Sequence, residues 1–278
     1  MFFRRWEAPL GKRVVGREYL FPPGLAFRSG GKPVRTSPGS LCDFAEWNVN
    51  LKRIEAIALE RGHSVCFRMD VKDPAGIDLS IIPNADVVLE FTRPEAAVDN
   101  IKAVIRSGVP VVSGTTGWLE RYQEVVDYCK QFNGGLFYAT NFSPGVNLFF
   151  EMNKQLARIM AVHPEYQARI EEIHHTSKKD APSGTALAMV NGILAENQHL
   201  KGWSADLLPS PDQVQVTSIR EGNVTGIHEV RYISGDDLIT LRHEAFSRRS
   251  LAFGAVLAAE FMLNKIGIYS MSDLLDID

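Results

Sequence analysis

Residues 85–118 read ADVVLEFTRPEAAVDNIKAVIRSGVPVVSGTTGW. Ala85 to Phe91 is a short apolar run of strand length, so it predicts a buried strand. Thr92 and Glu95 stand at capping-box spacing, and they open a helix predicted to end near Arg106. Gly108 closes that helix, Val109 to Val112 form a second buried strand, and Gly114-Thr115-Thr116-Gly117 leads into a helix carrying Trp118, Tyr122, Val125 and Val126. Leu136 to Ala139 reads as a third strand. Short apolar strands alternating with single helices imply right-handed crossovers on a parallel sheet, a doubly wound α/β arrangement.

The same grammar extends upstream to Leu51, Ile54, Ile57 and Ala58, which share one helical face. Gly62 sits where that helix needs a left-handed residue to end, and Ser64 to Met69 follows as a strand. Downstream, Ser143-Pro144 caps a helix with apolar residues at Val146, Phe149, Phe150, Leu156 and Ile159. The pattern then changes. Tyr166 to Ile173, Val214 to Arg220, Glu229 to Ser234 and Leu238 to His243 read as strands joined by turns such as Ser234-Gly235-Asp236-Asp237, which predicts an α+β unit with an antiparallel or mixed sheet. Leu251 to Leu263 reads as a last apolar helix that packs back on the first unit. The expected division is 1–50 as an atypical segment, 51–143 plus 248–278 as one domain, and 144–247 as a second.

Composition narrows the function classes. With 278 residues the chain can bury a sizeable core, and its longest apolar run, Leu251 to Leu263, is interrupted by Glu260 and too short to span a bilayer. Three scattered cysteines, Cys42, Cys66 and Cys129, support neither a disulfide framework nor a paired-cysteine zinc site, and they suit a reducing compartment such as the cytoplasm. A net charge of −3 argues against a nucleic-acid binder. That average hides two unlike pieces. Residues 1–40 carry eight Lys or Arg against two Glu, a balance of +6, whereas the other 238 residues carry −9.

The densest chemistry lies at Glu171-Glu172-Ile173-His174-His175-Thr176-Ser177-Lys178-Lys179-Asp180-Ala181-Pro182-Ser183-Gly184-Thr185-Ala186. It runs from a strand end through a polar loop to a helix that Ser183 can cap, the usual position of working residues in α/β proteins. His174 and His175 can exchange protons near neutral pH, and Lys178 can supply a cation or a proton. Ser183-Gly184-Thr185 offers backbone N–H groups at a helix N-terminus, which suits a carboxylate. Zinc fits less well, because adjacent histidines in an extended segment point apart and no Cys or third spaced His accompanies them.

The string HHTSKKDAPSGTA, His174 to Ala186, closely resembles the signature of the 4-hydroxy-tetrahydrodipicolinate reductases, the dihydrodipicolinate reductases of the diaminopimelate route to lysine. EFTRPEAA (Glu90 to Ala97), SGTTGW (Ser113 to Trp118), ATNFSPGVN (Ala139 to Asn147), the set Arg220, Gly222, Gly226 and His228, and HEAFSRRSLAFGA (His243 to Ala255) extend the resemblance over most of the chain after residue 50. Arg169 departs from the family pattern, which has a Glu there. The resemblance implies a Rossmann-like dinucleotide-binding domain, a substrate and oligomerisation domain, NADH or NADPH as cofactor, a small dicarboxylate as substrate, and a homotetramer built through the second domain's sheet. It implies that His174 and Lys178 are catalytic, that His175, Gly184 and Thr185 bind substrate, and that Gly114, Thr115, Thr116, Ala139, Thr140, Asn141 and Phe142 touch the coenzyme. No metal is implied.

One element of a dinucleotide domain is not legible. A first strand and a glycine-rich turn should precede the helix that starts near Leu51, yet no glycine lies between Leu41 and Arg61 and no G-x-G-x-x-G occurs upstream. A leader peptide, a remodelled domain and a shifted reading frame are the three readings of residues 1–50. The basic, proline-rich and non-periodic text favours the last, and it predicts weakened coenzyme binding. Asp70, after the strand that follows this helix, is positioned to accept from an adenosine ribose hydroxyl, which would favour NADH over NADPH; a plain turn aspartate is the equal alternative. A family member impaired in coenzyme binding, which retains dicarboxylate binding and assembly, stays open as the alternative function.

Overall fold

Val111 and Val112 are adjacent, both fully buried, and belong to two different cores. Successive side chains of a strand leave on opposite faces, so a sheet that buries both neighbours must be covered on both sides. The computed structural model describes residues 47–66, 82 and 85–277. Among them, β1 (Val88–Glu90), β2 (Val111–Ser113), β3 (Gly135–Tyr138) and β9 (Gly267–Tyr269) form a parallel sheet in the order β1-β2-β3-β9. Helices α2 (Pro94–Arg106) and α3 (Tyr122–Gln131) bury Ile101, Val104, Val125 and Cys129 with Val111 and Leu136. Helices α1 (Trp47–Glu60) and α6 (Arg249–Met262) bury Ile57, Ala255 and Val256 with Val112 and Phe137. Each such aliphatic or aromatic side chain contributes roughly 1.5–3 kcal/mol by leaving water. This is the doubly wound α/β unit that the alternation predicts.

Gly62 and Gly108 end α1 and α2 at φ +86° and +79°, values that only glycine adopts without strain. The predicted capping box does not form. Arg93 occupies the N-cap with Pro94 in the first turn, and the Thr92 hydroxyl donates to Glu90 instead of capping α2. Leu51 is exposed, so α1 meets the sheet through Ile54, Ile57 and Ala58. Residues 1–46, Asp70 and the second half of the predicted strand at Ser64–Met69 lie outside the described residues, as do the questions of a first strand and a glycine turn.

The second sheet is mixed, with β5 (Gly202–Ser204), β6 (Gln213–Arg220), β4 (Gln167–His174), β7 (Ile227–Ile233) and β8 (Leu238–Glu244) in the order β5-β6-β4-β7-β8. β6 runs parallel to β4 and β5, and β7 runs antiparallel to β4 and β8. Helices α4 (Pro144–Met160) and α5 (Gly184–Glu196) cover one face, and Phe149, Met160, Ile170, Met189, Ile193, Val216 and Val230 fill the space between. The Ser143 hydroxyl caps α4 by accepting from Val146 N–H at 3.4 Å. Its buried stripe is Val146, Phe149, Asn153, Ala157 and Met160, so Ile159 faces solvent rather than the core. Asn153 is tolerated there because its amide donates to the Met189 carbonyl at 2.9 Å. α6 is not the last element: β9 adds a strand to the first sheet and α7 (Met271–Leu275) follows. Both are too short for periodicity to reveal.

Candidate active site

Along β4 the inward residues are Ala168, Ile170, Glu172 and His174, so the buried face turns from apolar to charged within one strand. Its neighbours change at the same level. Register pairs Ile170 with Val216 and Val230, Glu172 with Ser218 and His228, and His174 with Arg220. Three strands therefore end one hydrophobic core in a common polar layer.

Glu172 is the centre of that layer and is fully buried. Its Oε1 accepts from the Ser218 hydroxyl at 2.7 Å, from Ser183 N–H at 3.0 Å and from Arg220 Nη2 at 3.2 Å. Its Oε2 lies 3.3 Å from His174 Nδ1 and 3.9 Å from His228 Nε2. The Glu172–His174 contact is an ion-pair distance whose ring N–H is not aimed along a hydrogen bond. Burial alone would raise the Glu172 carboxyl, but His174, Ser183 and Ser218 outweigh it and hold the group well below the usual carboxylate range. His228 is pushed down to about 4, first by burial and then by the His174 charge, against the pull of Glu172.

The loop that follows β4 is tied to the same layer. Arg220 donates to the Asp180 carbonyl at 2.5 Å and to the Lys178 carbonyl at 3.3 Å, and Glu221 N–H donates to the His174 carbonyl at 2.8 Å. Lys178 Nζ sits between both Asp180 carboxylate oxygens at 2.8 Å each, a contact that lowers the Asp180 carboxyl. His175 turns away from His174: its Nδ1 lies 2.7 Å from Ser177 Oγ, and its Nε2 lies 3.3 Å from Arg248 Nη2. Because a guanidinium only donates, His175 is assigned as the Nδ1–H tautomer with Nε2 accepting. Arg248 precedes α6, so this contact joins the loop of the second sheet to the first unit. Ser183 caps α5 by accepting from Ala186 N–H at 3.1 Å. The Gly184 and Thr185 N–H groups remain in the first turn, where a helix has no internal partners for them.

Apart from Asp70, the predicted coenzyme residues occupy the carboxyl ends of β2 and β3, the edge at which doubly wound sheets bind ligands. Glu90 organises this edge. It accepts from Ser113 Oγ at 2.6 Å, from Thr115 Oγ1 at 3.0 Å and from the Thr92 hydroxyl, while Thr92 N–H donates to Thr115 Oγ1 at 2.7 Å. Gly114 passes so close to the Phe91 ring that no side chain fits there. Thr115 and Phe142 are buried, whereas Thr116 and Thr140 are exposed and Asn141 half-exposed. Phe142 packs on Phe91 and Phe137, and the Asn141 side chain accepts from Ser143 N–H at 2.9 Å. The loops after β1 and β2 are thus tied together by the buried Glu90 carboxylate, and the backbone at Gly114 to Thr116 and at Ala139 to Phe142 suits a dinucleotide.

Glu172 stands in the dense polar segment that opens at Glu171, and the period-two pattern of β4, extended past Ile170, turns it inward; residue spacing along the chain does not reveal Glu90 or Ser218 as members of either site. Nor does it show that His228 comes beside His174, because that juxtaposition depends on strand register. Ligand atoms of Glu172, His174 and His228 lie within 4.8 Å of one another, a spacing that could hold a metal ion. Arg220 already stands against the same carboxylate, which sets a second positive charge against a dication.

Two family models match: "Dihydrodipicolinate reductase, N-terminus" over residues 60–142 and "Dihydrodipicolinate reductase, C-terminus" over 145–275. A 4-hydroxy-tetrahydrodipicolinate reductase of Christiangramia forsetii is 44% identical over 222 residues, covering 80% of this chain and 92% of its own. The chain belongs to the dihydrodipicolinate reductase family. A second reductase of that name, from Pelagibacter ubique, is 35% identical over 220 residues, 74% of this chain and 83% of the relative. Among solved structures, a dipicolinate-bound dihydrodipicolinate reductase from a Paenisporosarcina species shares the fold, with a TM-score of 0.66 at 22% identity over 82% of this chain and 94% of that one. Among the described residues of this dihydrodipicolinate reductase family member, no helix is long and apolar enough to cross a membrane.

Proposed function

We propose that the chain reduces 4-hydroxy-tetrahydrodipicolinate to tetrahydrodipicolinate, with loss of water, in the diaminopimelate route to lysine. The observation that carries this reading is the polar layer around Glu172, which gathers His174, the Lys178 loop and the N-terminus of α5 opposite Arg248. The two carboxylates of the substrate suit this arrangement. The Gly184 and Thr185 N–H groups grip one of them at the positive end of α5, with His175 alongside. His174 and Lys178 handle protons beside the carbon that is reduced. Lys178 is held by Asp180 at 2.8 Å, so an arriving carboxylate competes with Asp180 for the ammonium.

Bound NADH or NADPH supplies the hydride. Gly114, Thr115, Thr116, Ala139, Thr140, Asn141 and Phe142 form its nicotinamide-side wall. The Thr115 hydroxyl is committed to Glu90, so Thr115 contributes through its backbone. Asp70, by its place in the sequence, favours NADH. We assign the chain to the cytoplasm and to a homotetramer assembled on the face of the second sheet opposite α4 and α5, where Glu171, Glu229, Arg231 and Arg242 form a charged ladder.

Oxidation of NADH and NADPH, followed in the presence of freshly generated imine substrate, tests the reading. Turnover with either coenzyme is expected. Binding of pyridine-2,6-dicarboxylate without coenzyme oxidation would instead support a silent family member.

A further inference from the structure

We propose that Glu172 is a positioning residue that sets the ring orientation and tautomer of His174 with one oxygen while fixing the start of α5 with the other. The inference rests on the reductase reading above and extends it to a residue that meets no substrate.

The division of labour follows from the two oxygens. Oε1 takes three donors: Ser218 Oγ at 2.7 Å, Ser183 N at 3.0 Å and Arg220 Nη2 at 3.2 Å. Among the described residues, Oε2 accepts no hydrogen bond, and it faces His174 Nδ1 at 3.3 Å and His228 Nε2 at 3.9 Å. A fully buried carboxylate with one saturated oxygen cannot rotate to serve another partner. Its second oxygen is a fixed negative point beside two imidazoles, and His174 is the nearer.

His228 completes the arrangement from β7. Its ring meets the His174 ring edge-on, with centroids 4.9 Å apart and planes at 72°, so it blocks rotation of His174 toward the sheet. Just before β7, Gly226 has no side chain; a Cβ there would stand 3.2 Å from His174 Nε2 and 3.7 Å from His228 Cε1. The ring is therefore confined with Nδ1 toward Glu172 and Nε2 beside the open position at Gly226. A proton on Nδ1 is favoured by the facing oxygen, which leaves Nε2 with the lone pair available for chemistry. The charged and titratable groups around Glu172 are His174 on its own strand, Arg220 on β6, His228 on β7 and Lys178 and Asp180 in the loop, with His243 of β8 behind His228. Arg220 holds Oε1, so it strengthens the carboxylate's ionisation without occupying the oxygen that faces His174.

The E172Q variant keeps the size and one acceptor of the side chain but removes its charge. With the imine as substrate, kcat is expected to fall about tenfold or more, while KM changes by less than about threefold because Gly184, Thr185 and His175 remain. A KM rise with unchanged kcat would overturn the proposal, since Glu172 would then serve only the start of α5. Wild-type kcat and KM in E172Q would overturn it too. A second measurement needs no turnover: two-dimensional ¹H–¹⁵N spectra of the wild-type imidazoles, with His174 assigned by its loss in H174Q. His174 is expected as the Nδ1–H tautomer, and the Nε2–H tautomer would overturn the proposal. If wild-type protein fails to reduce the imine but shows the Nδ1–H tautomer, the functional reading fails and the positioning stands.

Discussion

Glu172 Oε2 lies 3.3 Å from His174 Nδ1, and both side chains leave β4 on the face they share with Ala168 and Ile170. The strand that supplies core residues at one end supplies the proposed acid–base group at the other. Rigid packing behind Ile170 thereby becomes rigid positioning of His174, which is the condition for efficient proton transfer.

Gly226 leaves little room beside His174. A Cβ there would stand 3.2 Å from His174 Nε2 and 3.7 Å from His228 Cε1, and both rings are buried. G226A is expected to lower stability by about 1–3 kcal/mol and kcat by about tenfold, because the His174 ring must shift. Urea denaturation and steady-state kinetics check both; an alanine accepted with unchanged kcat would show that the ring has room.

His228 makes stability depend on pH. Its ordinary value is 6.5, and burial followed by the His174 charge lowers it to about 4 in the folded chain. Between these values the unfolded chain binds the extra proton, so the stabilisation is complete above 6.5 and is lost as pH falls toward 4. Lowering the pH from about 7 to about 5 should cost about 2 kcal/mol through this residue. Glu172, whose carboxyl is held below its ordinary 4.5, retains its contribution across that window and loses it only in stronger acid. Chemical denaturation at the two pH values should show a smaller loss in H228N than in wild type. Equal losses would remove His228 as the cause.

Glu90 supports the other loops. Its carboxylate accepts from the hydroxyls of Thr92, Ser113 and Thr115, so E90A leaves buried donors without their acceptor and opens a cavity. A loss of about 2–4 kcal/mol is expected. Coenzyme affinity, read by fluorescence titration, should weaken about tenfold while pyridine-2,6-dicarboxylate affinity holds. Parallel weakening of both ligands would mean that Glu90 serves the fold alone.

What the sequence discloses follows from how local each cause is. β1, β2 and β3 are legible because a strand buried on both faces must be continuously apolar, as Val111-Val112 and Leu136-Phe137 are. The loop from His174 to Thr185 is legible because its residue types are rare together and because Ser183 is a cap in sequence and in structure. The box at Thr92 and Glu95 misleads, since the Thr92 hydroxyl is drawn to Glu90, a long-range neighbourhood that no local rule weighs. β5 and β9 have three residues each, too few for a period. The polar layer depends on register: Glu172 meets Ser218 and His228 only because β4 lies between β6 and β7.

The most direct measurement is the steady-state rate of imine reduction by H174A and K178A beside the wild-type chain, with either nicotinamide coenzyme. If these two side chains manage the protons of the reaction, each variant loses about 10²-fold or more in kcat while still binding pyridine-2,6-dicarboxylate. Near wild-type rates in both would contradict the account.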